Sequence, residues 1–172
     1  KKAAEKLGIF PSLALGGLAA WVRQNGYQVQ LIDLHVENLY PNDITGRVSD
    51  YDPHIVALTS KTLGWPAVIE IAQMVRETCP NALIVVGGPH MTIYAEESLT
   101  WECFDLAVVG DGEDTFLEIC EHMEQGGGGW EEVAGIVYRD KDTGEIKKTE
   151  SRPLTKDIDK YPMTAWDLMP VS

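Results

Sequence analysis

Four short apolar runs punctuate the chain, and turn-forming residues follow each: Tyr27 to Leu34, Ile55 to Ser60, Ala82 to Gly87 and Leu106 to Gly110. The last three are nearly unbroken and rich in β-branched side chains, the pattern of strands buried on both faces of a parallel sheet. Tyr27 to Leu34 alternates instead, and predicts a strand ending at Asp33-Leu34-His35. Helical spacing fills the intervals. One helix is predicted from about Ser12 to Asn25, with Pro11 or Ser12 at its start and Gly26 just past its end. Another runs from about Pro66 to Cys79, with Val68, Ile69, Ala72, Met74 and Val75 on its apolar side and Pro80 as its stop. A short helix around Ala95–Thr100 follows, then one from about Asp114 to Gln125 that ends in four glycines.

Strands that alternate with helices predict a doubly wound, Rossmann-like or flavodoxin-like parallel α/β sheet flanked by helices. Residues 36–53, with Pro41 and Pro53, read as an irregular crossover holding at most a short helix. Gly135 to Thr149 alternates about Asp142-Thr143-Gly144 and predicts an antiparallel hairpin beside the sheet. From Arg152 onward, proline, lysine and aspartate replace any period, the signature of an extended linker. The chain therefore divides into a domain over 1–150 and a linker over 151–172. The helix at 12–25 calls for a central strand before it, which residues 1–10 hardly supply, so a first strand is expected to be missing. That helix is small and apolar almost all round from Leu13 to Val22, the composition of a buried helix. Its pair Gly16-Gly17 costs about 1 kcal/mol of helix stability per glycine, which points to close packing.

At 172 residues the chain suits one core, and 44% hydrophobic residues are ordinary for a globular protein. The net charge of −13 offers no basic footprint for nucleic acid. No apolar run reaches the roughly 20 residues of a membrane span. Cys79, Cys103 and Cys120 are odd in number and scattered, which fits reduced thiols in the cytoplasm.

Under parallel topology the ends of the predicted strands share one edge of the sheet, where open α/β sheets bind ligands. Ser60, Lys61 and Thr62 lie there with Gly87, Gly88, Pro89 and His90, and with Gly110, Asp111, Gly112 and Glu113. Glycine at these positions either lets a bulky ligand approach the backbone or serves a turn of positive φ. Ser60 reads equally as a helix cap, and Asp111 and Glu113 as groups near a helix's positive end. His90 is either beside a ligand or bonded within its loop. No catalytic constellation appears, since Ser60 has no evident His and Asp partners. The spacing of the glycines also departs from the dinucleotide fingerprint GxGxxG. The set suits a large cofactor with a polar rim.

The order of Pro11-Ser12-Leu13-Ala14-Leu15-Gly16-Gly17, Asp52-Pro53-His54-Ile55-Val56, Ser60, Gly87-Gly88-Pro89-His90, Gly110-Asp111-Gly112-Glu113 and Gly135-Ile136-Val137-Tyr138-Arg139 closely resembles one known family. It is that of the amino-terminal cobalamin-binding domain of cobalamin-dependent radical S-adenosylmethionine enzymes. The resemblance implies cobalamin across the carboxyl edge of the sheet, its nucleotide tail threaded beside the strands. By position, Ser60, Lys61 and Thr62 face the tail or corrin edge. Gly87, Gly88 and Pro89 line the tail channel, with His90 next to them, and Gly110 to Glu113 close its other side. It further implies a radical S-adenosylmethionine domain of the same polypeptide as partner, carrying a [4Fe-4S] cluster and S-adenosylmethionine. Its CxxxCxxC loop is absent from these 172 residues, so the piece in hand is expected to hold the cofactor for methyl transfer or a related radical reaction without being catalytic alone.

The motif Asp-x-His-x-x-Gly, which brings a lower axial histidine to cobalt in other cobalamin proteins, breaks down at Asp33-x-His35, because Glu37 and Asn38 follow. No metal-ligating histidine is therefore expected. Two other classes compete: a non-catalytic, receiver-like signalling domain, and a flavin- or nucleotide-binding flavodoxin-like domain. A receiver calls for an aspartate ending its third strand and a lysine ending its fifth, where this chain has glycines.

Overall fold

The computed structural model describes residues 10–169. Helix α1 (Leu13–Gln24) is capped by Ser12, whose Oγ accepts from the Leu15 amide at 3.4 Å, and Gly26 turns the chain out of it at φ +96°. The crossover carries a single 3-10 turn at Pro41–Asp43 and helix α2 (Ile44–Tyr51). Strand β1 (Ile55–Thr59) leads to α3 (Trp65–Thr78), with Pro66 in its first turn, where the missing N–H costs nothing. Strand β2 (Leu83–Gly87) leads to α4 (Met91–Ser98), and β3 (Leu106–Val108) to α5 (Glu113–Glu124). Strands β4 (Ile136–Arg139) and β5 (Ile146–Lys148) complete the sheet.

The strands lie in the order β1-β2-β3-β4-β5, parallel from β1 to β3 and antiparallel thereafter. Alternation along them sorts the core into two layers. Val56, Leu58, Ile84, Val86 and Ala107 face α2, α3 and α4. Ile55, Ala57, Leu83, Val85, Leu106 and Val108 face α1 and α5. Helices thus cover both faces, and the expected doubly wound α/β sheet is present.

Four expectations change. Tyr27 to Leu34 joins no ladder among the described residues. Its alternation is met by half-burial instead: Val29 and Leu31 pack with Ala19 and Met169, and no strand pairing is needed to hide them. The hairpin extends the sheet rather than lying beside it, because Ile136, Val137 and Tyr138 pair in register with Val108, Ala107 and Leu106. Helix α4 starts at Met91, four residues earlier than expected, directly after His90. The segment 151–169 is aperiodic as expected but packs across the domain. Lys160 pairs with Asp114 at 2.6 Å, Arg23 makes two bonds to Asp167, and Tyr161 meets the Trp21 ring edge-on at 5.1 Å. The expected shortfall of a first strand falls mainly on residues 1–9, outside the described residues.

Candidate functional site

The carboxyl ends of β1, β2 and β3 deliver three loops to one edge. Backbone bonds tie the first two together: the Ser60 amide donates to the Gly87 carbonyl, and the His90 amide to the Ser60 carbonyl, each at 3.1 Å. Gly88 makes the turn at φ +92°, and a Cβ there would lie 2.5 Å from Thr59 Oγ1 and 2.9 Å from the Ser60 carbonyl oxygen. Its glycine is required by the chain itself, not by space for a ligand, and a bulky substitution is not expected to leave the loop intact. Gly87 and Gly112 differ. Their backbones are not in the left-handed region, and a Cβ at either meets only Val108, at an ordinary 3.8 Å.

Below these loops, on the α1/α5 face, lies a cavity of about 230 Å³. Its walls are small and apolar: Ala14, Leu15 and Leu18 of α1, Ala57 and Val85 of the sheet, and Phe116 of α5. Gly87, Gly88, Gly110, Asp111, Gly112 and Glu113 line its mouth, and Gly110, at φ +86°, has open space where a Cβ would stand. Thr59 is the hydroxyl-bearing residue among those lining it. A flat, largely apolar ring system with polar substituents at one end matches that lining. A second hollow, of about 310 Å³, sits against Met91–Glu97 with Val109 and Lys148.

Of the positions singled out in the sequence, six line the cavity and five do not. The Ser60 hydroxyl is buried and donates to the Lys61 carbonyl at 2.9 Å, so it caps no helix. Lys61, Thr62 and Pro89 are exposed on the rim. His90 is buried, its ring packed against Trp65 and Tyr94. Asp111 is exposed, and Gly112 rather than an acidic side chain occupies the N-cap of α5, with Glu113 and Asp114 in the first turn. The α1 residues were missed. The small, apolar composition of that helix was the signal, but it marks no particular face as the wall of a cavity.

Asp33 and His35 do not form a pair. The Asp33 carboxylate accepts from the amides of Ser12 at 2.9 Å, His35 at 3.1 Å and Val36 at 3.2 Å, while His35 is exposed. The three cysteines are free and buried. Burial pushes the Cys120 thiol up to about 12 and raises Cys103 as well. Tyr27 also rises to about 12, first through burial and then through its bond to the Glu124 carboxylate. Among the described residues no helix is long and apolar enough to cross a membrane.

Comparison with known proteins identifies the family. A methyltransferase of Pyrococcus horikoshii, itself uncharacterized, is 32% identical over 163 residues, covering 94% of this chain and 34% of that protein. The anaerobic magnesium-protoporphyrin IX monomethyl ester cyclase of Synechocystis is 28% identical, over 92% of this chain and 32% of that one. The chain thus spans about a third of the length of these relatives. Among solved structures, the cobalamin-dependent S-adenosylmethionine radical enzyme OxsB with aqua-cobalamin bound superimposes with a TM-score of 0.80, at 23% identity. The match covers 95% of this chain and 23% of OxsB and shows a shared fold. Residues 3–120 match the B12 binding domain, and the chain belongs to that family.

Proposed function

We propose that this domain holds cobalamin for a radical S-adenosylmethionine enzyme that transfers methyl groups. The cavity under the glycine loops carries the reading: its walls are apolar, glycines line its mouth, and it opens at the edge where the parallel strands end. Gly87, Gly88, Gly110, Asp111, Gly112 and Glu113 would line the tail channel, and Ser60, Lys61, Thr62, Pro89 and His90 build the rim above it. Cobalamin supplies a cobalt-centred methyl carrier. The chain's own residues bind and orient that carrier and keep water from its tail.

The methyltransferase relative is about three times as long as the stretch it shares with this chain. The [4Fe-4S] cluster and S-adenosylmethionine are accordingly assigned to a radical S-adenosylmethionine domain outside these 172 residues, in the same polypeptide. Three buried free thiols support a reducing compartment, the cytoplasm.

The test is retention of hydroxocobalamin by the purified chain after desalting, with Gly87→Val as control. Val is at home in a strand, its Cβ would meet Val108 at an ordinary 3.8 Å, and its two methyls would narrow the slot. A corrin spectrum should stay with the parent, and the variant should bind at least about tenfold more weakly, a cost of 1.4 kcal/mol. A folded parent that passes no corrin through the column, or that retains a flavin in its place, overturns the proposal.

A further inference from the structure

His90 is 5% exposed, unusual burial for an imidazole at the surface end of a loop. Two aromatic rings pack against it: Trp65 lies 4.6 Å away between centroids at a 32° tilt, and Tyr94 5.0 Å away at 33°. Trp65 in turn stacks on Phe104 at 5.1 Å and 21°. Four rings therefore form a column from Phe104, deep in the core, to the partly exposed Tyr94. The geometry of each step lies in the favourable range for aromatic pairs. His90 and Tyr94 stand four residues apart and are joined by one turn, the Tyr94 amide donating to the His90 carbonyl at 3.0 Å, with the helix kinked at Tyr94. At the ring's edge, His90 Nδ1 lies 3.2 Å from Thr62 Oγ1.

The column joins segments that belong to different loops. Trp65 and Thr62 follow β1, while His90 and Tyr94 follow β2. The loop after β1 needs such an anchor, because Lys61, Thr62, Leu63 and Gly64 are all exposed and Leu63 is 99% exposed. A segment with so little buried surface sits at the low-stability end of a fold. Its other ties to β2 are backbone bonds through Ser60.

We propose that His90 is a positioning residue: packed against Trp65 and Tyr94 and bonded to Thr62, it clips the loop after β1 to the loop after β2, so that the edge beside the cavity is rigid before ligand arrives. The ring is almost wholly buried, so it acts through Thr62 and the loop that Thr62 belongs to. Rigidity set in advance lowers the ordering cost of binding and slows release. The consequence for the ligand rests on the cobalamin reading above; the clip itself does not.

The test is hydrogen exchange on the cofactor-free chain, followed by release of hydroxocobalamin, for the parent, His90→Ala, His90→Phe and Thr62→Val. In His90→Ala the amides of Ser60 and Gly64 should exchange at least about tenfold faster, while those of Val86 and Ala107 in the sheet stay protected. His90→Phe, which keeps the ring column, should restore most of that protection. Thr62→Val, which keeps the column but loses the hydroxyl, should fall between. Hydroxocobalamin should leave His90→Ala about tenfold faster than the parent. Unchanged exchange at Ser60 and Gly64 in His90→Ala overturns the clip, and unchanged release overturns its positioning role. Should His90→Ala loosen the whole sheet, the other two variants decide, and parent-like protection of Gly64 in Thr62→Val together with no rescue by Phe rejects the proposal. A parent that fails to retain hydroxocobalamin refutes the cobalamin reading while leaving the exchange result to stand or fall by itself.

Discussion

The side chain of Met169 occupies the place where a side chain on Gly16 would begin: a Cβ there would lie 2.0 Å from Met169 Cε and 2.6 Å from Thr164 Cγ2. The Ala165 amide also donates to the Gly16 carbonyl at 3.1 Å. One face of α1 therefore meets the segment after residue 151, while Ala14, Leu15 and Leu18 wall the cavity. The neighbouring Gly17 has nothing within 4 Å of its Cβ position.

The two glycines should respond oppositely to alanine. Gly17→Ala should stabilise the protein by about 1 kcal/mol, the ordinary gain in helix propensity. Gly16→Ala gains the same amount but overpacks against Thr164 and Met169, at about 1–3 kcal/mol, so the net change is loss or displacement of the segment. Urea midpoints and amide exchange at Ala165 check both. A Gly16→Ala protein as stable as Gly17→Ala, with Ala165 still protected, would show that the segment is not packed as described.

Gly88→Ala should destabilise by at least about 2 kcal/mol, from backbone strain at positive φ together with crowding. The nearest groups are Thr59 Oγ1 and the Ser60 carbonyl oxygen, and the second is backbone that cannot rotate away. Gly112→Ala, with its Cβ in ordinary contact and no positive φ, should cost far less. Thermal unfolding of the cofactor-free variants separates the two, and equal midpoints would contradict the geometry.

Much of this arrangement was readable in the residues, and the unreadable part has a physical reason. Ile55–Ser60, Ala82–Gly87 and Leu106–Gly110 are recognisable because a strand flanked by helices on both faces is apolar at nearly every position, even in β1, which lies at the sheet's edge and is only half-buried. Tyr27–Leu34 misled because alternation reports half-burial, and packing on α1 and Met169 provides that as well as a sheet does. The packing of 151–169 was invisible because its anchors are single long-range contacts, Met169 on Gly16 and Asp167 on Arg23, which leave no period in the sequence. For the site, the glycine loops were legible as strand ends. The enclosure of the His90 ring was not, because Trp65 and Tyr94 come together only once β1 and β2 are paired.

Stability should fall on the alkaline side. Burial holds the Cys120 thiol at about 12, above its unfolded value of 9.0, so the native state keeps a proton that the unfolded chain gives up. The contribution is complete below pH 9.0 and is lost as pH climbs from there towards about 12. Urea midpoints across that window should decline for the parent and decline less steeply for Cys120→Ala, which starts from a lower value. Identical slopes would mean that the thiol ionises as readily in the folded protein as in the unfolded one. Iodoacetamide at neutral pH should likewise leave Cys120 unmodified until the protein is unfolded.

Asp33-Leu34-His35 invites assignment as the lower axial arm of cobalt, and the structure separates its two ends. An axial histidine needs its second ring nitrogen held by a carboxylate, which fixes the tautomer and the direction of the first. The Asp33 carboxylate is instead committed to three backbone amides, of Ser12, His35 and Val36. It ties the start of α1 to the turn after residue 33, a local structural task. Asp33→Ala should therefore leave three half-buried amides without that acceptor and cost about 1 kcal/mol, while Asp33→Asn, which keeps an accepting oxygen, should cost less. His35→Ala should be close to neutral, as expected of an exposed side chain. With hydroxocobalamin bound and reduced to the cob(II) state, parent and His35→Ala should give the same electron paramagnetic resonance spectrum. A nitrogen hyperfine splitting present in the parent and lost in His35→Ala would make His35 the axial ligand and defeat this assignment of Asp33.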